Sequence, residues 1–172
     1  MSNFSLIANV FSLLSATLLI VSSFSRTKKK QLYLQATDAM FAGIACILCG
    51  SFAAASVDFL ASARNVLTAK GVTQRWLCAA FCVVMTVIGV AINNTGAIGY
   101  LTVAASLEYT IVTTMTKDIT ATRLALMANI TCWLVHDVYM ALVPSACVDL
   151  VVLSVTTVKL VQELSARHAA ED

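Results

Sequence analysis

Positive charge divides this chain. All eleven lysines and arginines border apolar runs, and they recur at every second turn: Arg26, Lys28, Lys29 and Lys30, then Arg64, Lys70 and Arg75, then Lys117 and Arg123, then Lys159 and Arg167. A chain that crosses a bilayer back and forth brings every second turn to the same face, and cytoplasmic loops carry the excess of Lys and Arg. The pattern predicts seven crossings, with the amino end outside and the carboxyl end in the cytoplasm. Six crossings would scatter the charges over both faces.

The runs suit that layout. Apolar stretches extend over about Phe4–Phe24, Leu32–Cys49, Phe52–Leu67, Trp76–Ile92, Ala97–Met115, Thr122–Leu142 and Ser145–Leu164, each near the roughly 20 residues that span a hydrocarbon core. Gly50-Ser51 and Asn93-Asn94-Thr95-Gly96 read as turns, and Pro144, the sole proline, suits the first turn of the last helix. The amino end is uncharged and is followed by basic residues, which predicts a retained helix rather than a cleaved leader. With 59% hydrophobic and 12% charged residues and a mean hydropathy of +0.86, against about 45–50% and about 25% for soluble domains, residues 1–172 are expected to form one membrane domain. No length remains for a soluble catalytic domain. The basic residues form no stripe with interleaved aromatics, which argues against a nucleic-acid partner.

The chain also repeats. Asp149 minus Asp58 is 91 positions, and at that offset Asp38 meets Asn129, Arg26 meets Lys117, Ser15 meets Ser106, and Val57-Asp58 meets Val148-Asp149. Residues 4–67 and 97–164 thus read as two three-helix units joined by a linker helix at 76–92. An odd number of crossings per unit plus one linker gives both copies the same orientation, a parallel repeat of the kind found in transporters. The fold expected is all-α and integral to the membrane, with seven transmembrane helices in a 3+1+3 order.

Ionisable groups at membrane depth are costly and mark functional sites by default. Asp38, Asp58, Glu108, Asp137 and Asp149 fall within spans that carry no lysine or arginine away from their ends. Removing water penalises the charged carboxylate, so some of these acids are expected to hold protons near neutral pH unless a cation satisfies them. Polar positions also align on helix faces: Ser51, Ala55, Asp58, Ser62 and Asn65; Ser145, Asp149 and Thr156; Thr122, Asn129 and His136, with Trp133 beside them; and Gln31, Gln35 and Asp38. Asp58, Asp149, His136 and Asp137 fall in the outer third of the membrane, Asp38 and Asn129 toward the inner side, and Glu108 near the middle. His136 and Asp137 are candidates for a proton relay, a gate or, less readily, a metal ligand, although adjacent helical positions point about 100° apart. The bland reading is interhelical hydrogen bonding, ordinary glue of about 0.6–2 kcal/mol per contact. Cys46-x-x-Cys49 reads as small-residue packing, and no metal or other cofactor is expected.

The basic turn Ser25-Arg26, the run Ala53 to Ser56, Ala63-Arg64-Asn65 and, most specifically, Thr131-Cys132-Trp133-Leu134-Val135-His136-Asp137 resemble the bacterial inner-membrane YgjV family over most of the chain. That family is grouped with the SWEET and PQ-loop superfamily. The resemblance implies a SWEET-like pair of parallel three-helix bundles joined by a linker helix, the amino end outside, in a bacterial inner membrane. No Pro-Gln motif is present, and helices 1 and 5 lack proline.

Together these features lead to the expectation of a small-solute transporter, not an enzyme, in which Asp38, Asp58, Asn129, Trp133, His136 and Asp149 face a shared watery chamber. Its surroundings would be lipid, its ligand a small molecule or ion, and a second copy of the chain its candidate protein partner. The competing expectation is a membrane scaffold or partner subunit in which the polar groups specify helix pairing. A cavity reaching Asp58 and Asp149 separates the two.

Overall fold

The computed structural model describes residues 3–72 and 74–171. Seven helices account for nearly all of them: α1 (Asn3–Ser23), α2 (Lys28–Leu48), α3 (Phe52–Ala69), α4 (Arg75–Ala91), α5 (Ala97–Met115), α6 (Ile119–Tyr139) and α7 (Val143–Glu171). Most ends lie within a few residues of the apolar runs. Two helices start earlier because a side chain caps them: Thr27 accepts from the Lys30 amide ahead of α2, and Asp118 accepts from the Thr120 and Ala121 amides ahead of α6. Such caps satisfy amides that the first turn leaves unpaired. The side chain of Arg167 lies outside the described residues.

Six helices close into a ring. Around it run α1, α2, α3, α5, α6 and α7, each packed on the next and α7 returning to α1, while α4 lies outside against α3 and α5. Among the described residues, α1 with α3 and α5 with α7 are absent from the main packed pairs. Each run of three helices is therefore an arc in chain order rather than a closed three-helix bundle.

Polarity is inverted relative to a soluble protein. Leu6, Val10, Leu13, Val83, Val87, Val135, Val138, Leu150, Val158 and Val161 are exposed, whereas Ser12, Ser15, Gln35, Asp58, Arg64, Asn65, His136 and Asp149 are buried. An apolar exterior of this extent has no place in water, where large patches mark membrane or protein contact. By length and composition, Ser5–Ser23, Lys28–Leu48 and Val143–Gln162 are apolar enough to cross a membrane. Most polar residues of α3 and α6 turn inward, among them Asp58, Ser62, Arg64 and Asn65 of α3 and Thr120, Thr122, His136 and Asp137 of α6, all buried.

The α2–α3 and α6–α7 turns share one geometry. Cys49 N bonds Ala45 O and Ser51 N bonds Cys46 O; at the same 91-position offset (141 minus 50), Met140 N bonds His136 O and Leu142 N bonds Asp137 O. Both turns place a left-handed residue after the helix, Gly50 (φ 77) and Ala141 (φ 56), as a Schellman-type ending requires. At that end of the molecule Asn94 ties the α4–α5 turn to the α2–α3 turn, donating Nδ2 to Gly50 O at 2.5 Å and accepting from Phe52 N at 3.3 Å. At the opposite, basic end two lysines tie helices of different arcs together. Lys28 of α2 donates Nζ to Thr113 O (2.7 Å) and Thr116 O (2.5 Å), closing off α5. Lys159 of α7 donates to Ser23 O at the end of α1. A cation suits the carbonyl end of a helix, where unpaired C=O groups gather.

Candidate functional site

A cavity lies at the centre of the ring and takes side chains from all six of its helices. It offers about 100 Å³ in which the centre of a water molecule can move, several times the roughly 10–15 Å³ that one water requires on that measure. Small residues make the room: Ala39, Ala42, Ala45 and Ala61 contribute wall without filling it.

Most of the residues singled out from sequence meet here. Asp38, Asp58, Asn129, Trp133, Asp137 and Asp149 line the cavity. So do Ser15 and Ser106, which means that three pairs related by the 91-position offset (Ser15 with Ser106, Asp38 with Asn129, Asp58 with Asp149) contribute both members to one chamber. Asp38 Oδ1 accepts from Ser15 Oγ at 2.5 Å. Asp58 Oδ2 lies 3.9 Å from Cys46 Sγ, the thiol acting as a weak donor, so Cys46 of the Cys-x-x-Cys string serves an acid rather than its neighbour. Asp149 Oδ2 is buried and accepts from nothing.

His136 stands behind the wall. Its ring is fully buried; Nδ1 lies 2.9 Å from Asp137 Oδ1, Nε2 lies 3.0 Å from Ser51 Oγ, and Trp133 packs edge-on at 5.3 Å. Although successive helical positions diverge by about 100°, these two side chains bend together in the last turn of α6 and form a pair. When the imidazole donates Nδ1–H to the carboxylate, Nε2 accepts the Ser51 hydroxyl. The order Ser51–His136–Asp137 is that of a hydrolase triad. Ser51 and His136, however, have no exposed surface and do not line the cavity, so nothing in the chamber can reach the hydroxyl. What remains is a hydrogen-bonded path from Asp137, at the cavity, through the ring to Ser51 at the α2–α3 turn.

Glu108 is placed apart. Ser106 and Tyr109 hold the cavity-facing angle of α5, and Glu108, one position and about 100° from Tyr109, is not among the lining residues. Its Oε2 has no hydrogen-bond partner.

The structure also corrects the expectation that the spans hold no basic group away from their ends. Arg64 lies inside α3, is buried, and lines the cavity. Its Nε and one terminal nitrogen donate to Asn65 Oδ1 at 3.1 and 2.7 Å, the other donates to Thr110 Oγ1 at 2.5 Å, and the guanidinium carbon lies 5.2 Å from the centre of the Tyr109 ring. Tyr109 donates its hydroxyl to Gln35 Oε1 at 2.8 Å. Arg64, Gln35 and Tyr109 thus form a polar cluster that the acids had overshadowed. The available signal was the neighbour Asn65, already on the inward face of α3.

Compared with known proteins, residues 6–166 match a family model described as Imp-YgjV, bacterial inner membrane protein. No curated protein and no solved structure matches the chain.

Proposed function

The chain belongs to the Imp-YgjV family of bacterial inner membrane proteins, and on that premise we propose that it is a small-solute transporter whose intramembrane acids couple movement to protons. The observation that carries this reading is the central cavity, which reaches both Asp58 and Asp149 and draws walls from all six ring helices. A scaffold needs its polar groups bonded to each other; here Asp149 Oδ2 and Gln35 Nε2 are buried without partners, at a cost of about 1–3 kcal/mol for each such group. A ligand or water chain in the chamber would repay it.

In this mechanism the arcs α1–α3 and α5–α7 are parallel repeats in a 3+1+3 order, with α4 as the linker, and they rock about the shared chamber. The support is the ring itself: exchanging α1 with α5, α2 with α6 and α3 with α7 leaves its packing order unchanged, and the α2–α3 and α6–α7 turns match bond for bond. The amino end lies outside and the basic end faces the cytoplasm, because Arg26, Lys28, Lys29, Lys30, Lys70, Arg75 and Lys117 stand at the helix ends and turns of that side. Ser51, His136 and Asp137 form a relay that meets the chamber at Asp137, with the buried His136 holding or releasing a proton behind it, and Asp58 and Asp149 exchange protons with the cargo. Proton occupancy biases which side is open. The Ser51–His136–Asp137 array is then a conduit, not a nucleophile, and the chain is no enzyme.

The test is purified protein in liposomes with a trapped pH-sensitive dye and a panel of small solutes added outside. The native chain should move protons with at least one solute, and Asp58→Asn or Asp149→Asn should abolish that movement. Absence of solute-dependent proton movement in the native chain rules out coupling.

A further inference from the structure

The cavity is electrically two-ended. On α3, Arg64 follows Asp58 by six positions, about 9 Å further along the axis at 1.5 Å per residue. At the Arg64 level unused donors gather. The three hydrogen bonds of its guanidinium leave two of the five N–H groups without a partner, and those three go to neutral oxygens of Asn65 and Thr110. Gln35, buried to 4% exposure, has its Oε1 occupied by Tyr109 while its Nε2 donates to nothing. At the other end unused acceptors gather. Asp149, 3% exposed, has a buried Oδ2 that accepts from nothing, and Asp58 has only the long contact from the Cys46 thiol. The hydrogen bonds of Arg64 go to Asn65 and Thr110 and to neither Asp58 nor Asp149, so neither end neutralises the other directly.

Resting on the transport reading, we infer that the cargo is a small zwitterion, its carboxylate received by Arg64 and Gln35 and its ammonium group by Asp149 and Asp58. A lone anion would satisfy the guanidinium but bring negative charge among the acids. A lone cation would reverse the mismatch. One molecule bearing both charges supplies an acceptor where donors are unpaired and a donor where acceptors are unpaired. A guanidinium also matches a carboxylate in geometry, offering two parallel N–H groups. The offset that relates the halves does not extend to this pole: Gln35 pairs with Leu126 and Arg64 with Val155, so only one half carries the anion end and the cargo has one orientation.

Isothermal titration of the detergent-purified full chain should use glycine, β-alanine and γ-aminobutyrate as rulers of charge separation, with acetate and methylammonium as single-charge controls at matched chloride and pH. At least one zwitterion should bind roughly tenfold more tightly than either control. Arg64→Gln and Asp149→Asn should each weaken it roughly tenfold to a hundredfold, the size of a lost charge-assisted hydrogen bond, and Arg64→Gln should leave methylammonium binding unchanged. Should Arg64→Gln fail to fold, Arg64→Lys keeps the charge without the two-pronged geometry and should bind the zwitterion several-fold more weakly than the native chain. The inference is overturned if no zwitterion binds, if acetate or methylammonium binds as tightly as every zwitterion, or if Arg64→Lys and Asp149→Asn both bind it as the native chain does. A zwitterion that binds but does not cross liposome membranes would end the transport reading and leave the two-ended zwitterion site standing as a binding site. Proton-coupled flux of a neutral solute, with no zwitterion bound, would do the reverse.

Discussion

Ala141 occupies a backbone conformation that its counterpart Gly50 adopts freely: φ is 56 at Ala141 and 77 at Gly50. A side chain in the left-handed region costs roughly 1–2 kcal/mol, so Ala141→Gly should stabilise the protein by about 1 kcal/mol and Gly50→Ala should destabilise it by a similar amount. Thermal unfolding in detergent checks both, and equal responses of the same sign would contradict the matched turns. Ser51 offers a second test. Its hydroxyl bonds His136 Nε2 instead of capping α3, so Ser51→Ala leaves a buried imidazole nitrogen unsatisfied and should cost about 1–3 kcal/mol. In the transport reading the same variant should perturb proton exchange between His136 and Asp137 while leaving solute binding intact.

Helix contacts set the next scale. Gly89 of α4 lies where a Cβ would come within 2.5 Å of Val103 Cγ2 on α5, so α4 rests against the ring through a residue with no side chain. Gly89→Leu should wedge the two apart and lower stability by about 1–3 kcal/mol, the usual range for overpacking; unchanged melting would mean that α4 tolerates displacement. At the basic end, the lysines that cross between arcs should resist opening on that side. Lys28→Met removes the donor to Thr113 O and Thr116 O, and labelling of a cysteine introduced at Ala39, on the cavity wall, should become faster from the cytoplasmic face. No change in rate would mean that Lys28 does not guard that end.

Across the whole molecule, the distribution of positive charge predicts topology, and a reporter fused after Asp172 should fluoresce only if it folds in the cytoplasm. A periplasmic carboxyl end would overturn the proposed orientation. Helix count, helix placement and the inward faces of α3, α6 and α7 were all legible in the residues, because apolar length and charge spacing answer to the bilayer alone. The offset that relates Asp58 to Asp149 and Asp38 to Asn129 was legible as well, and these four residues line the chamber.

Side-chain direction was not legible. Arg64 sits near enough to the end of α3 that its long stem has two destinations, the membrane surface or the interior, and only the neighbours Asn65, Thr110 and Tyr109 turn it inward. Glu108 had a suitable depth but an unsuitable angle, which depends on how α5 rotates against α3 and α6. His136 and Asp137 pair because the last turn of α6 meets Ser51 of another hairpin, a contact between residues 85 positions apart. Sequence by itself determined that this chain is a set of apolar helices with acids on their inner faces, since solvation by lipid acts on each segment separately. Tertiary structure alone decided that those faces close a ring, with a guanidinium at one level and unpaired carboxylate oxygen at another, since that depends on how helices far apart in the chain are rotated when they pack.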